Sequence, residues 1–373
     1  MRVLFCGGGT AGHVSPAIAM AEILIKKYRK CEIAFVGRKG GYENNAILSK
    51  GFKLFEIELN PPKFYLSAKG IKNLTLLLGS FKEAEEIIND FKPNIIIGTG
   101  SYVCFPVIYK GIKKEIPTLL HESNEQPGRV TKILGKKCTK ILLNYDETKK
   151  YLSKYKNLST IGNPIDESFF LQNQEKNRQR LNIKSSELLV VSFGGSGGAE
   201  RINETILNLM NMSSYRKMNI THIHACGTKY FNDIVKNNPD IIKNKKFTIL
   251  PYIHNMPELM SAADLTITRS GSATISELAT LGKNTILIPS PNVTNNHQYK
   301  NAKILVDYGA TTMLEERNLN EQTLYKAIID ANKKRKELEN KIQIFGSKNV
   351  AEYFIRNIEE ISQLRHKKTS KSD

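Results

Sequence analysis

The residues of this chain best suited to chemistry are one histidine and several polar clusters that each follow an apolar run. His13 comes directly after Gly7-Gly8-Gly9-Thr10-Ala11-Gly12. Glycines leave backbone N–H groups uncovered, and a helix start adds the positive end of its dipole, so such a turn suits a phosphate. The same dipole disfavours imidazolium, and neutral imidazole is the form that accepts a proton. His13 is therefore a candidate base, although a histidine at a helix start can also serve only to bond its neighbours. A second glycine-rich turn, Gly194-Gly195-Ser196-Gly197-Gly198, carries Ser196. A third, Gly98-Thr99-Gly100-Ser101-Tyr102, lets a ligand approach the backbone at Gly100, Ser101 and Tyr102, or simply uses Ser101 as a helix cap.

His121-Glu122-Ser123-Asn124-Glu125 adds five polar residues, with Glu125 a second base candidate and some of the others supports for their neighbours. The cluster is not His-Glu-x-x-His, which disfavours zinc. In Arg269-Ser270-Gly271-Ser272-Ala273-Thr274-Ile275-Ser276-Glu277, the Glu277 carboxylate can accept hydrogen bonds from vicinal ribose hydroxyls or merely complement a helix dipole. Asn295-Asn296-His297-Gln298-Tyr299 is an unusually polar helix start. No Asp-x-Asp pair occurs. A departing nucleotide diphosphate would then be held by N–H groups and a helix dipole, with no metal.

The elements that must position these residues alternate. Apolar runs at Arg2 to Cys6, Cys31 to Val36, Lys53 to Ile57, Asn94 to Ile97, Thr118 to His121 and Lys140 to Leu143 read as strands, with helical patterns between them. Ile161-Gly162-Asn163-Pro164 interrupts the pattern as a linker. The alternation then restarts at Leu188 to Phe193, Thr221 to Cys226, Phe247 to Leu250, Leu265 to Thr268 and Thr285 to Ile288. This is an α/β chain of two doubly wound parallel sheets, and every candidate turn lies after a strand's C-terminal end, where open α/β sheets bind ligands. From Asn318 the chain reads as helical, and Arg365 to Asp373 as a basic disordered tail or weak anionic-surface contact.

Composition bounds the readings. At 373 residues two domains are expected. The net charge of +19 admits nucleic acid, an anionic membrane or acidic substrates, or only a generally basic surface. A nucleic-acid protein would show a basic stripe interleaved with aromatics, but the lysines are dispersed. The five cysteines are scattered, several of them in apolar runs, as expected of a reduced, cytosolic chain without paired-Cys zinc. Glycines cut the first apolar run too early for an export signal, and no run approaches a membrane span. Gly7-x-Gly9-x-x-Gly12 fits the dinucleotide fingerprint, but Gly37-Arg38-Lys39 stands where its acidic residue belongs. Arg38 keeps an NADP-dependent oxidoreductase open as an alternative, and the glycines can also be plain tight turns. Pro61-Pro62-Lys63-Phe64-Tyr65-Leu66 leads into a helix over Ile71 to Asp90, with Leu74, Leu77 or Leu78, Phe81, Ala84 and Ile88 on one face and Leu76 off it. Lys63, Lys69, Lys72 and Lys82 flank it, a pattern that fits either peripheral contact with anionic lipid or packing in a core.

Taken in order, GGGTAGHVSPAIA, GTGSYV, HESN, IGNP, FGGSGGAERIN, RSGSATISE and NNHQYKNA resemble the MurG family of bacterial N-acetylglucosaminyltransferases. The resemblance implies a GT-B fold: two Rossmann-like domains facing a cleft, residues 1–163 on the acceptor and membrane side and 164–345 on the donor side, with a helix over 346–364 returning to the first domain and 365–373 as the tail. It implies inverting transfer of GlcNAc from UDP-GlcNAc to the 4-hydroxyl of lipid I, giving lipid II, without a metal or other cofactor. The implied place is the cytoplasmic face of the cell membrane, peripherally bound, with room for contacts to other cell-wall synthesis proteins and none to nucleic acid. It puts Thr10, Ala11 and Gly12 on the donor side of the cleft with His13 as base, and matches Asn124 to a donor contact and Ser196 to the UDP phosphates. Ile253 would read uracil through its backbone, the segment Ser272, Ala273, Thr274, Ile275, Ser276 and Glu277 would surround the nucleotide, and Gln298 would contact GlcNAc hydroxyls. The family's HEQN is HESN here, Asp166 stands where some members have arginine, and His297-Gln298 replaces a glutamine pair. A UDP-GlcNAc epimerase of the same fold is the remaining enzyme alternative.

Overall fold

The computed structural model describes residues 1–9, 11–41, 43–60 and 68–369, with side chains for all of these except Ala11, residues 68–72, Leu74 and residues 364–369. It forms two compact units, Met1–Asp166 with Lys348–Asp373, and Glu167–Ser347.

Unit 1 is built on seven parallel strands: β1 (Arg2–Cys6), β2 (Glu32–Arg38), β3 (Lys53–Ile57), β4 (Ile95–Gly98), β5 (Thr118–Glu122), β6 (Lys140–Leu143) and β7 (Leu158–Thr160). Their order is β3-β2-β1-β4-β5-β6-β7. The buried runs carry both faces. Val3 and Phe5 point into one apolar layer with Ala17, Met20 and Leu24 of α1 (Ala11–Lys27), and Leu4 and Cys6 point into the other. Helix α2 (Glu43–Ser49) adds Ile47 to the first layer; α3 (Ala68–Phe91), α4 (Cys104–Lys113) and α5 (Arg129–Leu134) cover the second. The C-terminal helix, Val350–Thr369, inserts Val350, Phe354, Ile358 and Ile361 into the first layer, so the chain's end belongs to unit 1. It continues past Leu364, where a disordered tail was expected, through Thr369.

Helix α3 divides its apolar residues. Ala84, Ile88 and Phe91 are buried in the core, and Phe81 meets Phe105 and Tyr109 of α4 edge-on. Leu78 is 63% exposed, one helical turn before the exposed Lys82. The apolar stretch Pro61 to Leu66 lies outside the described residues. Among those described, no helix is long and apolar enough to cross a membrane.

Unit 2 repeats the plan with β8 (Leu188–Phe193), β9 (Ile220–Ala225), β10 (Phe247–Leu250), β11 (Leu265–Thr268), β12 (Thr285–Leu287) and β13 (Thr312–Met313), all parallel in the order β10-β9-β8-β11-β12-β13. In both units the order reverses between the first and fourth strands, where helices leave to opposite faces of the sheet and a crevice opens at the C-terminal edge. The turns after β1 and β4, and after β8 and β11, are therefore the ones each sheet presents.

A chain of buried polar groups runs through unit 2 to that edge. Asn203 donates its amide N–H to the Cys226 carbonyl at 2.9 Å, which turns its Oδ1 to His224 Nε2 at 3.1 Å. His224 therefore carries its proton on Nε2 and accepts at Nδ1 from the Ser192 hydroxyl, 2.7 Å away. Ser192 in turn accepts from His222 Nε2 at 2.7 Å, and Tyr215 donates to His222 Nδ1 at 2.8 Å. Every donor points the same way, an arrangement in which neighbouring bonds polarise one another. The chain ends at the Cys226 carbonyl, which lies against Gly198 of the second glycine-rich turn.

Burial holds these rings neutral. It lowers the His224 pKa to about 4 and pushes that of His222 well down, aided by His224. In unit 1 burial likewise lowers His121 to about 4. A histidine whose pKa is depressed on folding contributes its full stability above the unfolded value near ~6.5, and loses it as the pH falls toward the folded value. Nuclear magnetic resonance should find these three rings neutral from pH 8 to 5. Denaturant midpoints should fall between pH 6.5 and 4, with His121 and His224 each accounting for on the order of 3 kcal/mol by the lower limit. Rings that titrate near 6.5 would contradict the assignment.

Candidate functional site

In unit 1 the site assembles where β1 and β4 end. His13 is in the first turn of α1, half-buried, and its Nδ1 lies 2.9 Å from the Thr99 carbonyl. A carbonyl only accepts, so Nδ1 carries the proton and Nε2 is the ring's basic nitrogen. Thr99 returns the bond, its hydroxyl donating to the His13 carbonyl at 2.6 Å. The two turns thus hold one another by a reciprocal pair. Gly100 must be glycine here: its φ is +103°, and a Cβ would stand 2.9 Å from the His13 ring. Ser101, also at positive φ, accepts from the Val103 N–H at 3.3 Å and so steadies the entry to α4. Tyr102 is half-buried, its ring edge facing Gly9. Thr10 lies outside the described residues, and Ala11 and Gly12 form the first backbone turn of α1.

The polar cluster after β5 separates by direction. His121 is buried, donating from Nε2 to the Gly162 carbonyl at 3.1 Å and facing the Ser123 hydroxyl with Nδ1. Glu122 is buried too. It accepts from the Gly128 N–H and the Thr131 hydroxyl, both at 2.8 Å, and from the Asn124 N–H, and so ties the cluster to the start of α5; burial raises its pKa against those bonds. Asn124 is half-buried, its carbonyl held by Thr148. Glu125 is 3% exposed, paired with Lys150 at 2.5 Å and accepting from the Tyr151 hydroxyl. Of the two base candidates, Glu125 is thus engaged with a cation and a phenol, whereas His13 has its acidic nitrogen fixed and its basic nitrogen defined.

Besides Lys150 and Tyr151, Glu43 escaped the sequence reading. The Glu43 carboxyl group, fully buried, accepts from the Gly9 N–H at 3.1 Å and the Arg38 N–H at 3.0 Å. An acidic residue does answer the first glycine turn, but it comes from the start of α2 and not from the end of β2. It takes the Gly9 N–H that a dinucleotide phosphate would need, which counts against the NADP alternative. The only sequence signal was an acidic residue in a helix's first turn, which is common.

In unit 2 the five helices that follow β8 to β12 begin at the same sheet edge without a side-chain cap: Glu200–Asn211, Thr228–Asn237, Met256–Ala262, Ser272–Leu281 and His297–Asp307. Ser196 is exposed in the turn before the first of them. Helix Ser272–Leu281 buries Ser272, Ile275 and Ser276 inward, while Ala273, Thr274 and Glu277 share the accessible side at spacings of three and four. Ile253 is buried in the turn after β10. Gln298, in the first turn of helix His297–Asp307, accepts from the Ser290 N–H at 2.9 Å, which leaves its amide N–H groups to donate outward. The preceding Asn295 and Asn296 both adopt left-handed backbone, which asparagine tolerates. Arg269 is half-buried; it pairs with Glu316 at 2.5 Å and donates to the Ile288 and Pro289 carbonyls, tying the ends of β11 and β12 together.

Comparison with known proteins agrees with this plan. Residues 3–143 match the glycosyltransferase family 28 N-terminal domain, and residues 189–354 match the glycosyltransferase family 28 C-terminal domain. The chain is 38% identical over 330 residues, 88% of its own length and 90% of the relative's, to the UDP-N-acetylglucosamine–N-acetylmuramyl-(pentapeptide) pyrophosphoryl-undecaprenol N-acetylglucosamine transferase of Caldanaerobacter subterraneus subsp. tengcongensis. Among solved structures it is similar to Acinetobacter baumannii MurG, with a TM-score of 0.74 at 23% identity, covering 96% of this chain and 99% of that one. It is also similar to the UDP-GlcNAc 2-epimerase of Neisseria meningitidis, with a TM-score of 0.66 at 15% identity, covering 96% and 100% of the two chains. These two structural likenesses speak for the fold alone, whereas both domain matches and the identity along nearly the whole length show that the chain belongs to glycosyltransferase family 28.

Proposed function

We propose that the chain transfers N-acetylglucosamine from UDP-N-acetylglucosamine to the 4-hydroxyl of the N-acetylmuramyl group of lipid I, with inversion, to give lipid II. The observation that carries this reading is the 38% identity to a transferase of that name along 90% of its length. The geometry supplies the roles. In this reading His13 Nε2 takes the proton of the acceptor hydroxyl as its oxygen attacks the anomeric carbon, from the face opposite UDP. The bond from that carbon to the UDP oxygen breaks, and the pair of electrons leaves with UDP. The uncapped start of helix Ser272–Leu281 and the Gly194–Gly198 turn, with Ser196, meet the added charge without a metal.

Glu277 holds the ribose, the Ile253 backbone reads uracil, and the outward N–H groups of Gln298 meet GlcNAc hydroxyls, with Asn124 a further donor contact. The acceptor lies along Gly100, Ser101 and Tyr102 of unit 1. The chain works at the cytoplasmic face of the cell membrane as a peripheral protein, a place supported by exposed Leu78 next to Lys82. The 2-epimerase likeness does not compete at the level of chemistry, because it extends to fold only.

With UDP-GlcNAc, a lipid I analogue and a chelator, the chain should form the disaccharide-lipid at an undiminished rate. An epimerised UDP-sugar without disaccharide, or turnover that stops on chelation, would overturn the reading or its metal-free step. His13→Ala should lower kcat by about 10²–10⁴-fold, the usual worth of a positioned base, while UDP binding is retained; normal turnover would remove His13 from that role. Glu277→Ala should raise KM for UDP-GlcNAc on the order of 10–100-fold with a smaller change in kcat, since it deletes hydrogen bonds present in both ground and transition states. An unchanged KM would place the ribose elsewhere.

A further inference from the structure

The first glycine turn is held from two sides. On one, the reciprocal bonds between Thr99 and His13 tie α1 to the end of β4. On the other stands Glu43, buried, with each carboxyl oxygen taking a different N–H: Oε2 that of Gly9 and Oε1 that of Arg38. The fit is close enough that a Cβ on Gly8 would lie 2.1 Å from Glu43 Oε1. Neighbouring bonds fix the carboxyl's own mount: Asn44 donates to the Arg38 carbonyl at 3.2 Å, and the Gly41 N–H to the same carbonyl at 2.8 Å. Both oxygens are needed. An amide in their place would answer one N–H and turn its own donors on the other.

We propose that Glu43 is a positioning residue for the transfer reaction, an internal anion that sets the first glycine turn and through it the placement of His13. This rests on the reading of His13 as the base. Glu43 touches no substrate in this account; it acts on the backbone four residues before the base, and a small displacement of a catalytic group is expensive in rate.

The test is a double-mutant cycle on single-turnover rates with the enzyme in excess, using UDP-GlcNAc and a lipid I analogue. Glu43→Gln and, independently, Gly8→Ala, which crowds the same carboxyl from the turn's side, are each made with His13 present and with His13→Ala. With His13 present each should slow turnover on the order of 100-fold. In the His13→Ala background each should change it by less than about twofold, because residues that act as a unit do not lose activity twice. KM for UDP-GlcNAc should stay at the wild-type value. Nitrogen resonances of the His13 ring should shift from the wild-type Nδ1–H pattern in both variants. Equal losses in the two backgrounds, full activity, or an unmoved His13 ring would overturn the proposal. A wild-type chain that makes no disaccharide-lipid would instead overturn the transferase reading on which it rests.

Discussion

A parallel sheet delivers every following turn to one edge, and in both units the strand order leaves a crevice on that edge between the first and fourth strands. The rest of the structure depends on this constraint. In unit 1 it brings the turns after β1 and β4 close enough for Thr99 and His13 to exchange hydrogen bonds. In unit 2 it sets the turn after β8 and the helix after β11 at the same edge, with helix N-termini that no side chain caps. Neither arrangement is local in sequence: His13 and Thr99 are 86 residues apart. What makes them neighbours is the pairing of β1 with β4, residue for residue from Val3 with Ile95 to Cys6 with Gly98.

The two glycine-rich turns look alike as sequence and differ as chemistry. Both present N–H groups beyond a buried strand. In unit 1 one of these is already answered by the Glu43 carboxyl group, whereas in unit 2 the turn Gly195-Ser196-Gly197 stands exposed. A glycine-rich turn announces donors; it does not say what they bind. That depends on which side chain the fold swings against them, and an internal carboxyl group makes a turn a fixed mount where an external phosphate would make it a ligand site.

This marks the limit of what the sequence could disclose. Buried strands were legible because their apolar runs have no rival reading between glycine-rich turns, and β1, β3, β6, β8, β10 and β11 have the bounds expected. The two strands not expected, β7 and β13, are three and two residues long, half-exposed, and at sheet edges. An edge strand packs against one neighbour only and needs no apolar run to hold it. Among candidate site residues, His13, Gly100, Asn124, Glu277 and Gln298 stood out because each lies in the turn or the opening of the helix that follows a strand. Glu43, Lys150 and Tyr151 did not, because the groups they answer in the site, the Gly9 N–H and the Glu125 carboxyl group, belong to turns far from them in sequence. The Ser192, His222 and His224 chain was equally hidden: alternate residues of β9 and one of β8 are polar where an apolar residue would be expected, and only the register that sets them side by side explains why they can be buried.

The choice of partner for His13 also has a consequence for the chemistry. A carboxylate on Nδ1 would fix the tautomer and strongly stabilise the imidazolium. The Thr99 carbonyl fixes the same tautomer with a weaker pull on the cation, because it brings a dipole and no charge. The ring behind it follows the same logic. His121 is buried near His13, and burial, with a smaller push from the His13 ring, keeps His121 neutral well below physiological pH. The two histidines are thus set by different means: a backbone carbonyl fixes the tautomer of His13, and desolvation keeps His121 uncharged.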